Sequence, residues 1–383
     1  MASPSSPVYC PRIFTTMVNV TLNPINSTQK ITPLSAFVIS LHGLFSSVGI
    51  VENLLILGIV GFHVRRSVIS IWILNLAASD LLATASLPFF TLYMAKGRTW
   101  TLGTPFCRLH SSIFFLNMFV SGFLLAAISM DRCLVVLKPV WAQNYRNTAI
   151  VAKVCGVIWA LAVLCTVPFY LFRDTITDRN GRIKCYYNYA QLLPAQPFDL
   201  ESLCKRREEA FGLTKFFLAF LIPLLIIIFS YIAVNAKLAR RGCRRPYRFV
   251  RLVVAVVVSF IICWAPYHIL SVMEVLTPLD HPSQQSIARG LPTAATIGFL
   301  NSILNPVLYV FSCPDLCSKI RHSLGAVMES VLAEDLAELA RRRSSGRISN
   351  STSEATLKPR NAITALCLKG EMEVSEGLST HEN

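Results

Sequence analysis

Several side chains in this sequence are chemically out of place among their neighbours. Asp80, Asn117, Ser121, Asn301 and Asn305 lie inside long apolar runs, where an ionisable group costs at least about 2.5–3.5 kcal/mol and needs a purpose. His110, Phe114, Asn117 and Ser121 recur at the spacing of one helix face, as do Gly298, Asn301, Asn305 and Tyr309. Gathered together, the carboxylate, hydroxyl and amide oxygens would suit a hard monovalent cation such as sodium. They would equally suit a hydrogen-bonded cluster around a protonated Asp80, and spacing alone leaves both open. A second set is basic and phenolic: Arg173, Tyr186, Tyr187, Lys215 and Tyr267. Ammonium, guanidinium and phenol donors together suit a carboxylate, because charge-assisted hydrogen bonds strengthen in a dry site. Phe89, Phe90, Phe114 and Phe115 offer an apolar wall for an acyl chain, and Trp264 and Tyr267 share a helix face with Glu274 about two turns beyond Tyr267. Each residue also has a plainer reading: Lys215 could snorkel toward water, and any one aromatic could simply pack. At another run's end stands Asp131-Arg132-Cys133. That arginine could reach lipid headgroups, or be held in one state and released in another.

The elements that must position these residues are membrane helices. Of the 383 residues, 53% are hydrophobic and 15% charged, against about 25% charged in a soluble domain. Apolar runs at about 36–61, 69–94, 107–137, 149–172, 211–236, 248–276 and 288–311 each reach the length of roughly 20 residues that crosses a bilayer. The expected fold is all-α: a seven-helix transmembrane bundle. Its parts are an extracellular N-terminus over 1–33, a seven-helix domain over 34–326 and a cytoplasmic regulatory tail over 327–383. The first 33 residues carry no cleavable signal pattern, so the first span is expected to act as a signal anchor. The loops holding Arg65 and Arg66, then Lys138, Arg146 and Lys153, then Lys237 to Arg251, are basic without acids, which places them in the cytoplasm. The net charge of +15 is chiefly this topology signal, and no nucleic-acid recognition motif accompanies it.

Topology decides what other motifs mean. Asn19 and Asn26 head glycosylation sequons on the outer side, whereas the sequon at Asn350 is cytoplasmic and expected to be silent. Of 12 cysteines, Cys10, Cys107, Cys185 and Cys204 lie outside, which suggests two disulfides with three possible connectivities. Pro88, Pro168, Pro223, Pro266 and Pro306 interrupt spans and are expected to kink them. From Pro314 to about Ala326, Leu316, Ile320 and Leu324 recur beside basic residues, the pattern of a short amphipathic helix on the inner lipid surface. Cys313 and Cys317 there are candidate palmitoylation sites. The last 40 or so residues read as a disordered tail. Ser344, Ser345 and Ser349 follow arginines in it and are candidate sites for basic-directed kinases, whose phosphates would reverse the local charge.

Jointly, Asn53, Leu76 to Asp80, Asp131-Arg132-Cys133, Trp159, Pro223 with Tyr231, Cys263 to Pro266 and Asn305 to Tyr309 resemble the rhodopsin-like (class A) G-protein-coupled receptors, over about 36–326. The resemblance implies a Cys107–Cys185 disulfide, which would leave Cys10 to pair with Cys204. It implies that Arg132 meets the G protein after span six swings outward. Trp264 would be the lever beneath the ligand, and Tyr231 and Tyr309 would stabilise the open state. Two departures are visible: Cys133 replaces the usual Tyr, and the inner end of span six (Pro246, Tyr247, Arg248) has no acid to pair with Arg132.

Phe114 stands where amine receptors carry the aspartate for the ligand's cation, and the seventh run has no lysine for retinal. Cys107 to Asn117, Arg173 to Ile176, Cys185 to Asn188 and Trp264 to His268 look like the chemoattractant-type prostaglandin D2 receptors. That likeness implies prostaglandin D2 as agonist, in chemotaxis or inflammation, and an inhibitory-type G protein as partner. It further implies that Arg173, Tyr187, Lys215 and Tyr267 hold the ligand carboxylate, while His110, Phe90, Phe114, Phe115, Trp264 and Glu274 line the rest. A leukotriene or formyl-peptide-like ligand is the first alternative. A transporter or channel is more remote, since no inverted repeat is visible. No nucleophile–base set or metal motif suggests an enzyme, and no cofactor is expected beyond a possible allosteric sodium ion.

Overall fold

A computed structural model of the chain describes residues 9–10, 33–178, 181–192, 199–240, 247–278 and 281–312. Among them are seven helices long and apolar enough to cross a membrane. Span one is Pro33–Gly58, ending in a π-helical turn at Ile59–His63; span two is Val68–Ala95, span three Gly103–Leu137 and span four Thr148–Leu171. Span five is Leu200–Phe216, a π-helical turn at Phe217–Leu221, and Ile222–Arg240. Span six is Tyr247–Leu276, and span seven is Gln284–Phe299 continued by Asn301–Ser312.

The spans are apolar on both sides. On span four, Val154, Val157, Leu161 and Leu164 are exposed, a face that suits lipid, because a bilayer solvates apolar surface that water would not. Inward, Leu76, Leu87, Phe119, Leu124, Ile227 and Phe260 are buried in one cluster that joins spans two, three, five and six. Caps mark several starts. Ser67 and Ser70 form a reciprocal capping box at span two, and Asn147 accepts from the Ile150 amide at 2.9 Å at span four.

Span five differs from its sequence reading. It begins at Leu200 rather than near 211, because Asp199 caps it and accepts from the Ser202 amide at 3.1 Å. The charged stretch Glu201 to Glu209 is too polar for hydrocarbon but not for a helix, so the helix continues beyond the apolar run. Pro223 cannot donate to Ala219, four residues earlier, and the preceding turn is π-helical. Gly122 of span three sits against this point: an added Cβ would lie 3.0 Å from the Ala219 carbonyl and 3.4 Å from the Pro223 ring.

The all-α expectation also omits a β-hairpin in the second outer loop. β1 (Arg173–Thr177) pairs antiparallel with β2 (Ile183–Tyr187), with Arg173 opposite Tyr187 and Thr175 opposite Cys185. Cys185 is joined to Cys107 at the top of span three, and Cys10 to Cys204 near the outer end of span five. This is the pairing the family resemblance implied. Cys133, Cys155, Cys165 and Cys263 are free thiols. The amphipathic helix from Pro314, Cys313 and Cys317, the sequons at Asn19 and Asn26, and Ser344, Ser345 and Ser349 lie outside the described residues.

Candidate ligand-binding site and signalling core

The outer site forms where the hairpin meets spans three, five and six. Lys215 is 5% exposed, so it points into the bundle rather than snorkelling outward. Its Nζ donates to Tyr267 Oη at 3.4 Å and lies 5.1 Å from the Tyr267 ring and 5.7 Å from the Phe115 ring. Arg173 opens β1, where its Nε donates to Ser111 Oγ at 2.7 Å and its guanidinium carbon stands 4.2 Å over the Tyr187 ring. Tyr187 Oη is buried and has no hydrogen-bond partner. Burial pushes this phenol above its usual value against the opposing pull of Arg173, so it remains a protonated donor. Each cation is therefore hydrogen-bonded to a neutral group, with the Glu274 carboxylate acting on Lys215 only at longer range. The ion pairs seen among the described residues, Arg146–Asp131 and Arg182–Asp178, involve neither of them.

The apolar part of the site hangs from Phe114. Its ring centroid is 5.4 Å from Phe115, 5.3 Å from Tyr267, 6.1 Å from Trp264 and 5.3 Å from Phe299. Gly298 lets this layer close: an added Cβ would meet Trp264 at 3.2 Å and Phe114 at 3.7 Å. Phe90 stacks toward His110, 5.9 Å between centroids, and His110 Nε2 is buried without a partner. Phe89 departs from the expected wall. It is 39% exposed and packs edge-on against Phe106 at 4.7 Å, because Phe89 and Phe90 are successive residues of one helix and point in different directions. Glu274 takes a role that spacing did not suggest: it accepts a hydrogen bond from Tyr186 Oη, tying the hairpin to the outer end of span six.

Of the five polar residues singled out within the spans, Asp80, Asn117, Ser121 and Asn305 meet one another. Asn117 Nδ2 lies 3.0 Å from both Ser79 Oγ and Asp80 Oδ1, Ser121 Oγ is 3.5 Å from Asp80 Oδ1, and Asn305 Nδ2 donates to Asp80 Oδ2 at 2.8 Å. Ser302 is buried beside this cluster, its Oγ without a hydrogen-bond partner. Asn301 is buried nearby on span seven, its Nδ2 unpartnered, and Asn53 bridges to the Ser302 carbonyl at 3.1 Å.

At the inner mouth, Asp131 is gripped by Arg146, Nε to Oδ1 at 2.7 Å and Nη2 to Oδ2 at 2.8 Å. Arg146 is delivered by the short helix Pro139–Tyr145, which it ends. Tyr231 is buried on span five, close to Ser129, which lies one turn before Cys133, and to Arg132. Pro266 and Pro306 lie inside their helices as expected. Tyr309 is in span seven, with its side chain outside the described set. Sequence reasoning missed Ser111, Ser79, Ser302 and Arg146. The first three lie one or three positions from residues it did select, a displacement around the helix that only packing resolves, and Arg146 carries no signal beyond its charge.

The comparisons agree with this architecture. Residues 52–309 match the family described as 7 transmembrane receptor (rhodopsin family). The chain is 49% identical over 348 residues to prostaglandin D2 receptor 2 of Mus musculus, covering 88% of this chain and 91% of that one. It is 51% identical over 331 residues to the Rattus norvegicus protein of the same name, covering 83% and 82%. N-formyl peptide receptor 2 of Gorilla gorilla gorilla is 35% identical over 292 residues, covering 76% and 84%. With its seven membrane-length helices and these relatives, the chain belongs to the rhodopsin family of seven-transmembrane, G-protein-coupled receptors and is a multi-pass protein of the plasma membrane.

Proposed function

We propose that this receptor responds to a lipid carboxylic acid, prostaglandin D2 or a close chemical relative of it, and signals through an inhibitory-type G protein in chemotaxis or inflammation. The observation that carries the reading is the convergence of Lys215 and Arg173, each hydrogen-bonded to a neutral group, with the hydroxyls of Tyr267 and Tyr187. A ligand carboxylate entering there would replace neutral contacts with charge-assisted ones, and the layer of Phe114, Phe115 and Trp264 would receive its hydrocarbon. The names of the two rodent relatives point the same way. Binding between the hairpin and span six would bear on Trp264 and Tyr267, and through Pro266 on the inner half of span six, with Arg132 receiving the G protein. Phosphates on the tail serines would then recruit arrestin.

Asp80 and its neighbours also fit a sodium ion that would favour the resting state. The set is one carboxylate with hydroxyl and amide oxygens, a hard donor set suited to a hard cation, and Asn305 Oδ1 is buried beside it without a partner. Asp80→Asn is expected to abolish any dependence of agonist affinity on sodium chloride relative to potassium chloride.

The test is a panel of prostanoids, leukotrienes and formyl peptides on expressing cells, read as inhibition of cyclic AMP with and without a blocker of inhibitory G proteins. Prostaglandin D2 is expected to be the most potent agonist, its methyl ester weak, and the response lost with the blocker. Greater potency of a formyl peptide, or equal potency of acid and ester, would overturn the lipid-acid reading.

A further inference from the structure

One buried polar group beside the outer site takes no part in the carboxylate contacts. His268 has 0% exposure, and both its ring nitrogens lack a hydrogen-bond partner. A neutral imidazole always carries one N–H donor and one bare acceptor, so leaving both unmade is costly and calls for an explanation. The rings packed against it are aromatic, with the Lys215 ammonium at longer range. Phe220 stacks on the ring at 5.1 Å, with Phe216 at 6.3 Å, Tyr267 at 5.7 Å and Trp264 at 6.4 Å. Trp264 lies one turn before His268 on span six, and its Nε1–H is likewise buried and unpartnered. A purely structural aromatic box would be better filled by phenylalanine, which leaves nothing unsatisfied.

The placement is tied to the carboxylate site by shared neighbours. Tyr267, which accepts from Lys215 Nζ, lies 5.7 Å from the His268 ring, and Trp264 of the apolar layer lies 6.4 Å from it. A ligand held by its carboxylate at Lys215 and Tyr267 therefore has its body close to this box. We propose that His268 is a second polar anchor, hydrogen-bonding a hydroxyl or carbonyl oxygen on the body of the bound lipid acid and so selecting oxygenated acids over plain ones. This rests on the lipid-acid reading above and adds the class of acid the site takes. The discrimination would come from the unmade bond: an acid lacking the oxygen leaves the imidazole buried and unpaired, whereas an oxygenated acid satisfies it.

The test uses the intact receptor in membranes and two prostanoid acids that differ only in one ring oxygen, present as hydroxyl or ketone in one and absent in the other. The quantity read is the ratio of their affinities within each protein. The unaltered receptor is expected to prefer the oxygenated acid by about tenfold or more. His268→Phe should bring the ratio close to one by weakening only the oxygenated acid, and His268→Gln, which keeps a donor and an acceptor, should retain part of it. A ratio near one in the unaltered receptor, or an undiminished ratio in His268→Phe, overturns the proposal. Should His268→Phe fail to reach the membrane, His268→Leu gives the same ratio. Failure of the lipid-acid reading is seen separately, as equal binding of an acid and its methyl ester.

Discussion

The two mouths of the bundle both hold cations, but they use them in opposite ways. Outside, Lys215 and Arg173 rest against a phenol and a hydroxyl, neutral groups that cannot balance their charge. Inside, Arg146 closes on Asp131 through two hydrogen bonds of 2.7 and 2.8 Å, a forked pair in which each charge answers the other. A cation whose hydrogen bonds go to neutral hydroxyls is prepared for an anion that arrives from elsewhere. A cation already forked onto a carboxylate is a restraint, and its effect is conformational. The contrast separates a site built to receive from a joint built to hold.

The largest effect should come from removing the outer ammonium. Lys215→Ala is expected to lower lipid-acid potency tenfold or more, because a hydrogen bond to a charged group contributes about 1.5–3 kcal/mol. It should leave surface expression intact, since the lost partner is a neutral phenol. Unchanged potency would break the comparison at its outer end.

The inner joint should behave differently. Asp131→Asn or Arg146→Ala is expected to raise agonist-independent G-protein signalling a few-fold while leaving ligand affinity unchanged. Side-chain exposures of 12% and 22% keep the pair partly screened and its worth modest. The double variant should show no more than either single one, as expected for two ends of one contact. Additive effects would mean that the residues act apart.

Tyr187→Phe gives a smaller and cleaner readout. The hydroxyl it removes is buried without a partner, so thermal stability should hold or rise slightly while affinity for the acid falls by several-fold. Loss of stability together with loss of affinity would assign that hydroxyl a structural role instead.

The smallest effect concerns Lys184 on β2, whose Nζ donates to the Arg98 carbonyl at 2.8 Å. Burial, with Arg182 nearby, lowers this ammonium to about 8 from 10.5. The folded state therefore releases its proton first. The destabilising contribution is fully present below about pH 8 and fades as pH rises from there toward 10.5, because over that window the unfolded chain holds more protons. Melting temperature measured over that range should rise more in the unaltered receptor than in Lys184→Met, and parallel curves would contradict the sign.

How far each feature could be read beforehand follows the range of the forces that make it. Seven spans, their orientation and the facing of Asp80, Asn117, Ser121 and Asn305 were all legible, because transfer into hydrocarbon, positive charge in short loops and helix periodicity act over one or two turns of chain. Asp80 did meet both asparagines. The outer end of span five was misjudged for the same reason: hydropathy marks where lipid ends, and the helix runs on past it to Asp199.

Partner choice was another matter. Nothing in the order of residues says that Arg173 would rest on Ser111, that Tyr186 would reach Glu274, or that Asp131 would be taken by Arg146 rather than by its neighbour. Each depends on the rotation of one helix against another and on loops, one pinned by the Cys107–Cys185 bridge and the other folded into the helix Pro139–Tyr145. Chain chemistry alone decided which segments cross the bilayer and which polar groups they carry into it. The packed bundle decided which of those groups meet, because contacts between residues far apart in the chain exist only once the helices have taken their places.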